Sequence, residues 1–437
     1  MQHSAVSTDT RNPWAWVSTL YFAQGLPYVA VMTLSVIMYK RLGISNTDIA
    51  LYTSWLYLPW VIKPLWSPVV DMFGTKRLWI ILMEFLIGIG FAGVAFTLPV
   101  SFFFSASLGV FWLVAFLSAT HDIAADGFYM LALDQHQQSF YVGIRSTFYR
   151  ISTIVGQGAL VMLAGYFEEK WQPLPEESMN YTPLAWMIVM GTLSAFFVLI
   201  SIYHRILLPK PTSDHKEQRV TLRNVGKEFI GTFTSFFRKP GIGVAIAFML
   251  LYRFPEAQLV KLINPFLLDS QTAGGLGLST SQVGFVYGTI GILGLTAGGI
   301  IGGIVVAHGG LKKWLWRMAW SISLTCGTFL YLSIAQPEDL LTINICVFIE
   351  QFGYGFGFTA YMLYLIYFSD GEFRTAHYAI CTGFMALGMM LPGMAAGWLQ
   401  EQLGYQGFFW WIMACCIATI GVTAFIKVPA SFGKKQS

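Results

Sequence analysis

Twelve separate runs of predominantly apolar residues, each longer than twenty, account for most of this chain. A helix needs about 20 such residues to cross the hydrocarbon core of a bilayer. Inside that core a segment must satisfy its own backbone hydrogen bonds, so runs of this length are helices. They lie at roughly 14–39, 47–70, 78–99, 106–132, 141–166, 183–207, 241–268, 280–307, 314–335, 339–369, 374–399 and 406–428. Charged residues make up 11% of the 437 positions, against about 25% in soluble domains. The chain is therefore an all-α integral membrane protein, with the lipid bilayer as its first partner. The net charge of +4 is small and the basic residues form no patch, which excludes nucleic acid as a partner. The opening segment MQHSAVSTDTRNP is polar and runs into a full-length apolar segment, so the first helix is read as an uncleaved insertion signal. Cys326, Cys346, Cys381, Cys415 and Cys416 sit inside apolar runs without metal-ligand spacing and read as small buried hydrophobes.

Lysine and arginine set the orientation. The connection between the sixth and seventh spans carries Lys210, Lys216, Arg219, Arg223, Lys227, Arg238 and Lys239. Lys76 and Arg77, Lys312 and Lys313, and Lys434 and Lys435 fall on the same side. The other side has little beyond Lys40, Arg41 and Lys170. Both termini are expected to be cytoplasmic. The long connection also divides the chain into a six-helix half at 1–207, a linker at 208–240 and a second six-helix half at 241–437. Within the linker, residues 219–240 place Val220, Val225, Phe229, Phe233, Phe236 and Phe237 on an apolar stripe, the pattern of an interfacial helix; an unstructured linker is the alternative.

The halves repeat. LGISNTDIALYTSW (42–55) matches LGLSTSQVGFVYGT (276–289) at an offset of 234, and SPVVDMFGTKR (67–77) matches GIVVAHGGLKK (303–313) at 236. Asp134 matches Asp370 at that same offset. Two parallel six-helix repeats, each with its own turn after the second helix, describe a major facilitator fold of two pseudo-symmetric halves. The turn resembles the loop signature of that superfamily through Asp71, Gly74, Lys76 and Arg77, and through Gly310, Lys312 and Lys313 in the second copy. Gly74 and Gly310 permit a tight turn at positive φ. Asp71 can cap a neighbouring helix or pair with arginine. These residues are read as a conformational latch.

A charge at mid-bilayer costs about 3 to more than 10 kcal/mol, so each one needs a reason. The fourth span carries SATHDIAADGFYM (118–130). Asp126 lies about 12 Å and Asp122 about 18 Å above the end of that span, on one face of the helix. Tyr129 extends the face, while His121 points roughly 100° away. Two carboxylates so placed suit proton coupling, because neighbouring like charges are costly to keep ionised together. Arg150, in the fifth span, can neutralise either. The alternatives are a structural charge pair and a hydrogen-bonded structural histidine. The seventh span aligns Arg253, Glu256 and Asn264, with Lys261 nearby and Pro255 and Pro265 interrupting the helix; an intrahelical Arg253–Glu256 pair is the bland alternative. The first span offers Gln24 beside Gly25 and Pro27, and the second offers Lys63, which either snorkels to the interface or faces the cavity. The tenth span adds Glu350, Gln351 and Tyr354, with Gly353, Gly355 and Gly357 allowing close helix approach. There is no nucleophile motif, no metal-spaced His/Cys cluster and no phosphate-cradling loop. No enzyme chemistry, metal or cofactor is expected.

FAQGLP (22–27), IKPLWSPVVD (62–71), FLSATHDIAADGF (116–128) and FYRISTIVG (148–156) together resemble the AmpG-type muropeptide permeases, a major facilitator branch that also holds acetyl-CoA transporters and some siderophore importers. The likeness spans about 20–160 and is much weaker in the second half. It implies proton-driven import of bulky anionic solutes, anhydro-muropeptides in the type members, across a bacterial inner membrane. It carries over Gln24, Lys63, Asp71, Asp122, Asp126 and Arg150. The pattern expects Gln where this chain has His121, and it differs at Gly127 and Phe128. The expected protein is a monomeric secondary transporter whose partners are a small solute and protons. A siderophore or CoA-type anion is the nearest alternative cargo, and a non-transporting sensor or enzyme the remote one.

Overall fold

The computed structural model describes residues 11–171, 181–211, 214, 222–371 and 374–434. Lys216, Arg219, Val220 and Lys435 lie outside that set, as do the side chains of Asp71, Arg223, Val225, Lys227 and Phe229. Among the described residues ten helices are long and apolar enough to cross a membrane: Pro13–Arg41, Lys76–Thr97, Phe103–Ala132, Gly143–Lys170, Thr182–Leu207, Ile242–Leu268, Thr280–Gly309, Leu311–Ala335, Leu340–Phe368 and Ala376–Ala424. The last is part of a merged pair, Arg374–Ala424, broken at Gly404, where φ is 67° and ψ 171°. The second span consists of two shorter helices, Asn46–Trp55 and Leu58–Met72. Twelve membrane spans result, in chain order.

The repeat is visible in the caps. Ser45 and Ser279, at the offset of 234, each accept a backbone N–H three residues on, from Asp48 at 3.0 Å and Gln282 at 3.3 Å. The glycine two residues before each cap is left-handed, Gly43 at φ 82° and Gly277 at φ 69°. Gly74 and Gly310 also have positive φ, 68° and 81°. The third span starts behind Gly74 with its first amides capped from outside: Lys76 N donates to Asp214 Oδ1 at 2.8 Å and Arg77 N to Oδ2 at 3.1 Å. The ninth span starts behind Gly310, and Leu311 N donates to the Phe432 carbonyl at 2.9 Å. Each half thus uses the segment after its sixth helix to finish the helix that follows its signature turn. The Arg77 guanidinium binds the carbonyls of Leu208 and Arg205, whereas Lys312 and Lys313 are exposed.

Helix irregularities gather where the halves meet. The first span widens into a π-type turn at Ala30–Leu34, the fifth at Val155–Leu160 and the eighth at Val286–Gly291. A Cβ on Gly288 would lie 2.0 Å from the Gln157 carbonyl, so the fifth and eighth spans touch backbone to backbone. The seventh span breaks once, at Tyr252–Arg253, and Pro255 opens its second piece, Phe254–Leu268. The interruption expected at Pro265 does not occur. That proline sits in the last turns, and its own carbonyl accepts from Asp269 N at 2.8 Å. In the tenth span Gly353 and Gly357 admit the ninth span, and Gly355 admits the eighth. The linker helix, Leu222–Phe237, buries Phe236 against Phe384 of the eleventh span and leaves Ile230 exposed.

Three apolar cores pack the molecule, and their arrangement fixes its shape. One core is shared by both halves on the side away from the linker, where Leu34, Ile49 and Val161 join Leu262, Phe266 and Tyr405. On the linker side each half has a core of its own, around Trp16, Phe128 and Tyr141 in the first and Phe248, Tyr361 and Phe368 in the second. The halves are joined at the far side and separated at the linker side. Polar contacts zip the far side: Lys40 to Asp269 at 2.7 Å, Asn46 to Gln400 at 2.7 Å and to Tyr405 at 3.0 Å, and Thr280 to Glu168 at 2.5 Å. Gly397 lets the eleventh span close on the second, since a Cβ there would sit 2.0 Å from the Asn46 carbonyl. Overpacking costs about 1–3 kcal/mol, and 1.4 kcal/mol is about tenfold in a population. Gly397→Ala is therefore expected to raise, about tenfold, the rate at which a cysteine replacing buried Ala50 reacts with an impermeant maleimide. An unchanged rate would show that the far-side seal does not depend on this contact.

Candidate functional site

Between the two linker-side cores lies a cavity of about 610 Å³. Its walls come from both halves. The first, fourth and fifth spans contribute Gln24, Asp122, Asp126, Arg145 and Arg150, and the eighth and tenth contribute Gly299, Tyr354, Phe358 and Met362. The two acids of the fourth span share one face, as their spacing requires. Each has its own cation. The Lys63 ammonium lies 2.5 Å from Asp122 Oδ2, and Gln24 Nε2 donates to Oδ1. Arg145 lies 3.0 Å from Asp126 Oδ1, which also accepts from the Tyr21 hydroxyl at 3.0 Å. The Arg145 guanidinium stacks over Tyr21 at 4.4 Å and Tyr129 at 5.3 Å. The Asp126 side chain is 40% exposed to the cavity and that of Asp122 20%. One acid is thus clamped and the other is held at the water's edge.

Several residues sit differently from expectation. Arg150 neutralises neither acid. It reaches across the cavity to Thr296 Oγ1 at 3.4 Å and lies over Gly299 of the eighth span. Arg145, one and a half turns earlier, takes the role assigned to it, because the fifth span presents that residue to the fourth. Lys63 neither snorkels nor stands free in the cavity, since Asp122 holds it. His121 faces away from the acids, is 1% exposed and contacts Glu84 Oε1 at 3.2 Å. His204 Nδ1 contacts the same oxygen at 2.7 Å, and its other ring nitrogen meets Thr19 Oγ1 at 3.0 Å. This His–Glu–His cluster ties the third, fourth and sixth spans together inside the first half. Tyr129 donates its hydroxyl to the Gln138 carbonyl at 2.5 Å, closing the turn into the fifth span.

In the second half, Arg253 donates to the Tyr354 hydroxyl at 2.5 Å, and no ion pair joins it to Glu256 among the described residues. Tyr354 reaches the cavity wall and Arg253 stands behind it. Glu256, Lys261, Asn264, Glu350 and Gln351 are 1–3% exposed and lie off the cavity in this conformation. Gln351 Nε2 donates to Glu350 at 2.8 Å, and Lys261 reaches across the halves to Thr53 Oγ1 at 3.0 Å. Glu84, His204, Arg145, Tyr21 and Asp214 are the residues that sequence reasoning left without a role. An acid inside the apolar third span was a signal that could have found Glu84.

A twelve-span helical protein in two repeated halves, with a water-facing cavity between them and ionised pairs on one wall, is built as a membrane transporter. The family model of the Major Facilitator Superfamily matches residues 17–370, and the chain belongs to that superfamily. It is similar to the anhydromuropeptide permease of Escherichia coli K12, 25% identical over 411 residues, 91% of this chain and 76% of the relative. It is also similar to a putative transporter named AmpG 4 of Rickettsia conorii, 24% identical over 427 residues, 94% of this chain and 96% of that one. The likeness to AmpG-type permeases therefore runs along nearly the whole chain and is not confined to its first half. Among solved structures, a D-xylose–proton symporter shares the fold at a TM-score of 0.70 and 13% identity, covering 97% of this chain and 99% of that one. An inward-facing, unoccupied bacterial homologue of the human lysosomal transporter Spinster shares it at 0.67 and 15%, covering 94% and 95%.

Removing one member of a buried pair leaves the other uncompensated, at a cost of about 3–5 kcal/mol when fully buried and less beside a wet cavity. Lys63→Met should lower the melting temperature of the detergent-solubilised protein by several degrees. Lys63→Met combined with Asp122→Asn should recover most of that loss. If the double variant is as unstable as the sum of its singles, Lys63 and Asp122 are not coupled.

Proposed function

We propose that the chain is a proton-coupled importer of muropeptide-like solutes, working by alternating access across a bacterial inner membrane. The observation that carries this reading is the pair of fourth-span carboxylates on the cavity wall, each matched to its own cation. Asp126 is the proton carrier, because it meets the cavity water and its partner Arg145 can be released to a solute. Asp122, held by Lys63 and Gln24, biases that exchange by its charge. When Asp126 takes a proton, the Arg145 guanidinium loses its counter-charge and becomes free for an anionic group. Arg150 stands a turn and a half further along and offers a second cationic contact. A solute with carboxylates at one end and sugar rings at the other would meet arginines on one wall and the faces of Tyr354 and Phe358 on the other.

The two halves, divided at the 208–240 linker, are the rocking units, and the cavity is taken to open toward the cytoplasm with both termini on that side. The protein is read as acting as a monomer, with solute and protons as its ligands. Support comes from the lysine and arginine distribution and from the relatives' names, muropeptide permease among them.

Proteoliposomes with an imposed pH gradient test this reading. Wild type should accumulate a radiolabelled anhydromuropeptide against its concentration, and dissipating the gradient should abolish accumulation. Asp126→Asn should lose gradient-driven accumulation by about tenfold or more while still exchanging labelled for unlabelled solute, since it removes the titrating group and keeps the shape. Uptake indifferent to both the gradient and the substitution would sink the proposal.

A further inference from the structure

The acids on the cavity wall belong to the first half. The second half buries a different acid pair, away from the cavity. Glu256 of the seventh span and Glu350 of the tenth are each 1% exposed, and Glu350 lies within range of the Glu256 charge. Glu350 accepts a hydrogen bond from Gln351. Glu256 Oε2 is buried without any partner, and so is Asn264 Oδ1 on the same helix. The titratable groups that face the pair come from five spans: Arg253 from the seventh, Tyr287 from the eighth, Cys326 from the ninth, Tyr354 from the tenth and Cys416 from the twelfth. Only Arg253 is a cation. Its Nη2 is committed to the Tyr354 hydroxyl, and its guanidinium lies over the rings of Tyr354 and Phe358 at 5.2 and 4.8 Å. Lys261 is turned to Thr53 and the Tyr57 ring and does not answer either acid.

Two buried carboxylates, with one guanidinium beside Glu256 alone, leave a net negative charge in the middle of the membrane. A buried charge without a partner is among the most costly arrangements a protein can hold. One proton removes it. A carboxylate takes up a proton from water, one O–H bond forms, and no other bond changes. The new hydroxyl is also a donor, in a site where the Glu256 Oε2 oxygen has none.

We propose that Glu256 and Glu350 together bind one proton and form a second coupling site, in the half that lacks the fourth-span acids. It rests on the proton-coupled reading above. Its position suits the task. On one side Tyr354, which Arg253 holds, stands between the pair and the cavity. On the other, Lys261 and Thr53 join the halves. The pair is closed off from both faces in this conformation. Opening the far-side zip would expose the seventh and tenth spans to that face, where the proton loads.

Two readouts test the proposal, one of them independent of any solute. In infrared spectra of the purified full-length protein, titrated in pH, wild type should show the carbonyl stretch of a protonated carboxylic acid. Glu256→Gln and Glu350→Gln should each lose a band that Asp126→Asn keeps. In proteoliposomes, both Gln variants should lose pH-driven accumulation of the labelled anhydromuropeptide by about tenfold or more and keep solute exchange within about twofold. Wild-type bands in both variants, or wild-type accumulation in both, overturn the proposal. If a Gln variant does not fold, Glu256→Asp and Glu350→Asp take its place. They should keep an acid band shifted in frequency, and a band unmoved in both overturns the proposal. A wild type that ignores the pH gradient, yet loses the band in the Gln variants, overturns coupling at both sites and leaves proton binding by this pair standing alone. The two readings can thus fail separately.

Discussion

Asp122 lies inside a helix long enough to cross the bilayer, where an unpaired carboxylate costs about 3 to more than 10 kcal/mol. The Lys63 ammonium at 2.5 Å makes that position tenable, and it does so from another helix. The same holds for Asp126 and Arg145, which bind the fourth span to the fifth. Charge compensation therefore acts here as tertiary structure. It sets how the second, fourth and fifth spans rotate about their axes, and so which side chains the cavity receives. Glu84 adds a polar tie of its own, to two histidines drawn from the fourth and sixth spans. Apolar packing alone would tolerate many rotations of a greasy helix. Paired charges tolerate few.

The repeat makes the chemistry of the cavity lopsided. The offset of 236 carries Asp122 to Phe358 and Asp126 to Met362, and those two side chains line the opposite wall. Equivalent positions of the two halves thus face one another with acids on one side and an aromatic ring and a thioether on the other. The scaffold keeps its symmetry where symmetry is structural. Capping serines, left-handed glycines and externally capped third helices recur in both halves. Symmetry is dropped at the cavity, where one wall is charged and the other largely apolar. The second half keeps its acids one layer deeper, behind Tyr354.

What could be read from the sequence divides along the same physical line. Span number, the repeat, the turn glycines and the shared face of Asp122 and Asp126 follow from periodicity and local geometry, which a sequence displays directly. Which cation meets which acid depends on how helices are rotated and paired, and no local pattern carries that. Arg145 and Arg150 lie on the same helix a turn and a half apart, and only packing separates the partner of Asp126 from the residue that reaches Thr296. His121 shows the opposite limit. Its offset of about 100° from Asp122 already turned it from the acids, and the helix it turned toward holds Glu84. The loop signature offers Asp71 as a cap for a neighbouring helix or a partner for arginine, and it does not single out the start of the third span. The amides there are taken by Asp214, which lies beyond the sixth span and has no sequence signature of its own.

The far-side zip has to be firm enough to hold one conformation and weak enough to be undone during transport. Its composition meets both needs. The Lys40–Asp269 pair keeps 16% and 21% of its side chains exposed, and pairs of that kind contribute on the order of 1 kcal/mol or less. Asn46, Gln400 and Tyr405 add neutral hydrogen bonds of about 1 kcal/mol each. Glycines at 158, 288 and 397 bring the backbones together without interlocking side chains. The apolar cores on the linker side are already separate, so closing the cavity there would join two finished surfaces. A transporter moves between states that differ by a few kcal/mol. The apolar core that both halves share gives the far side its firmness, and the weak polar contacts beside it are the part of the seal matched to that scale.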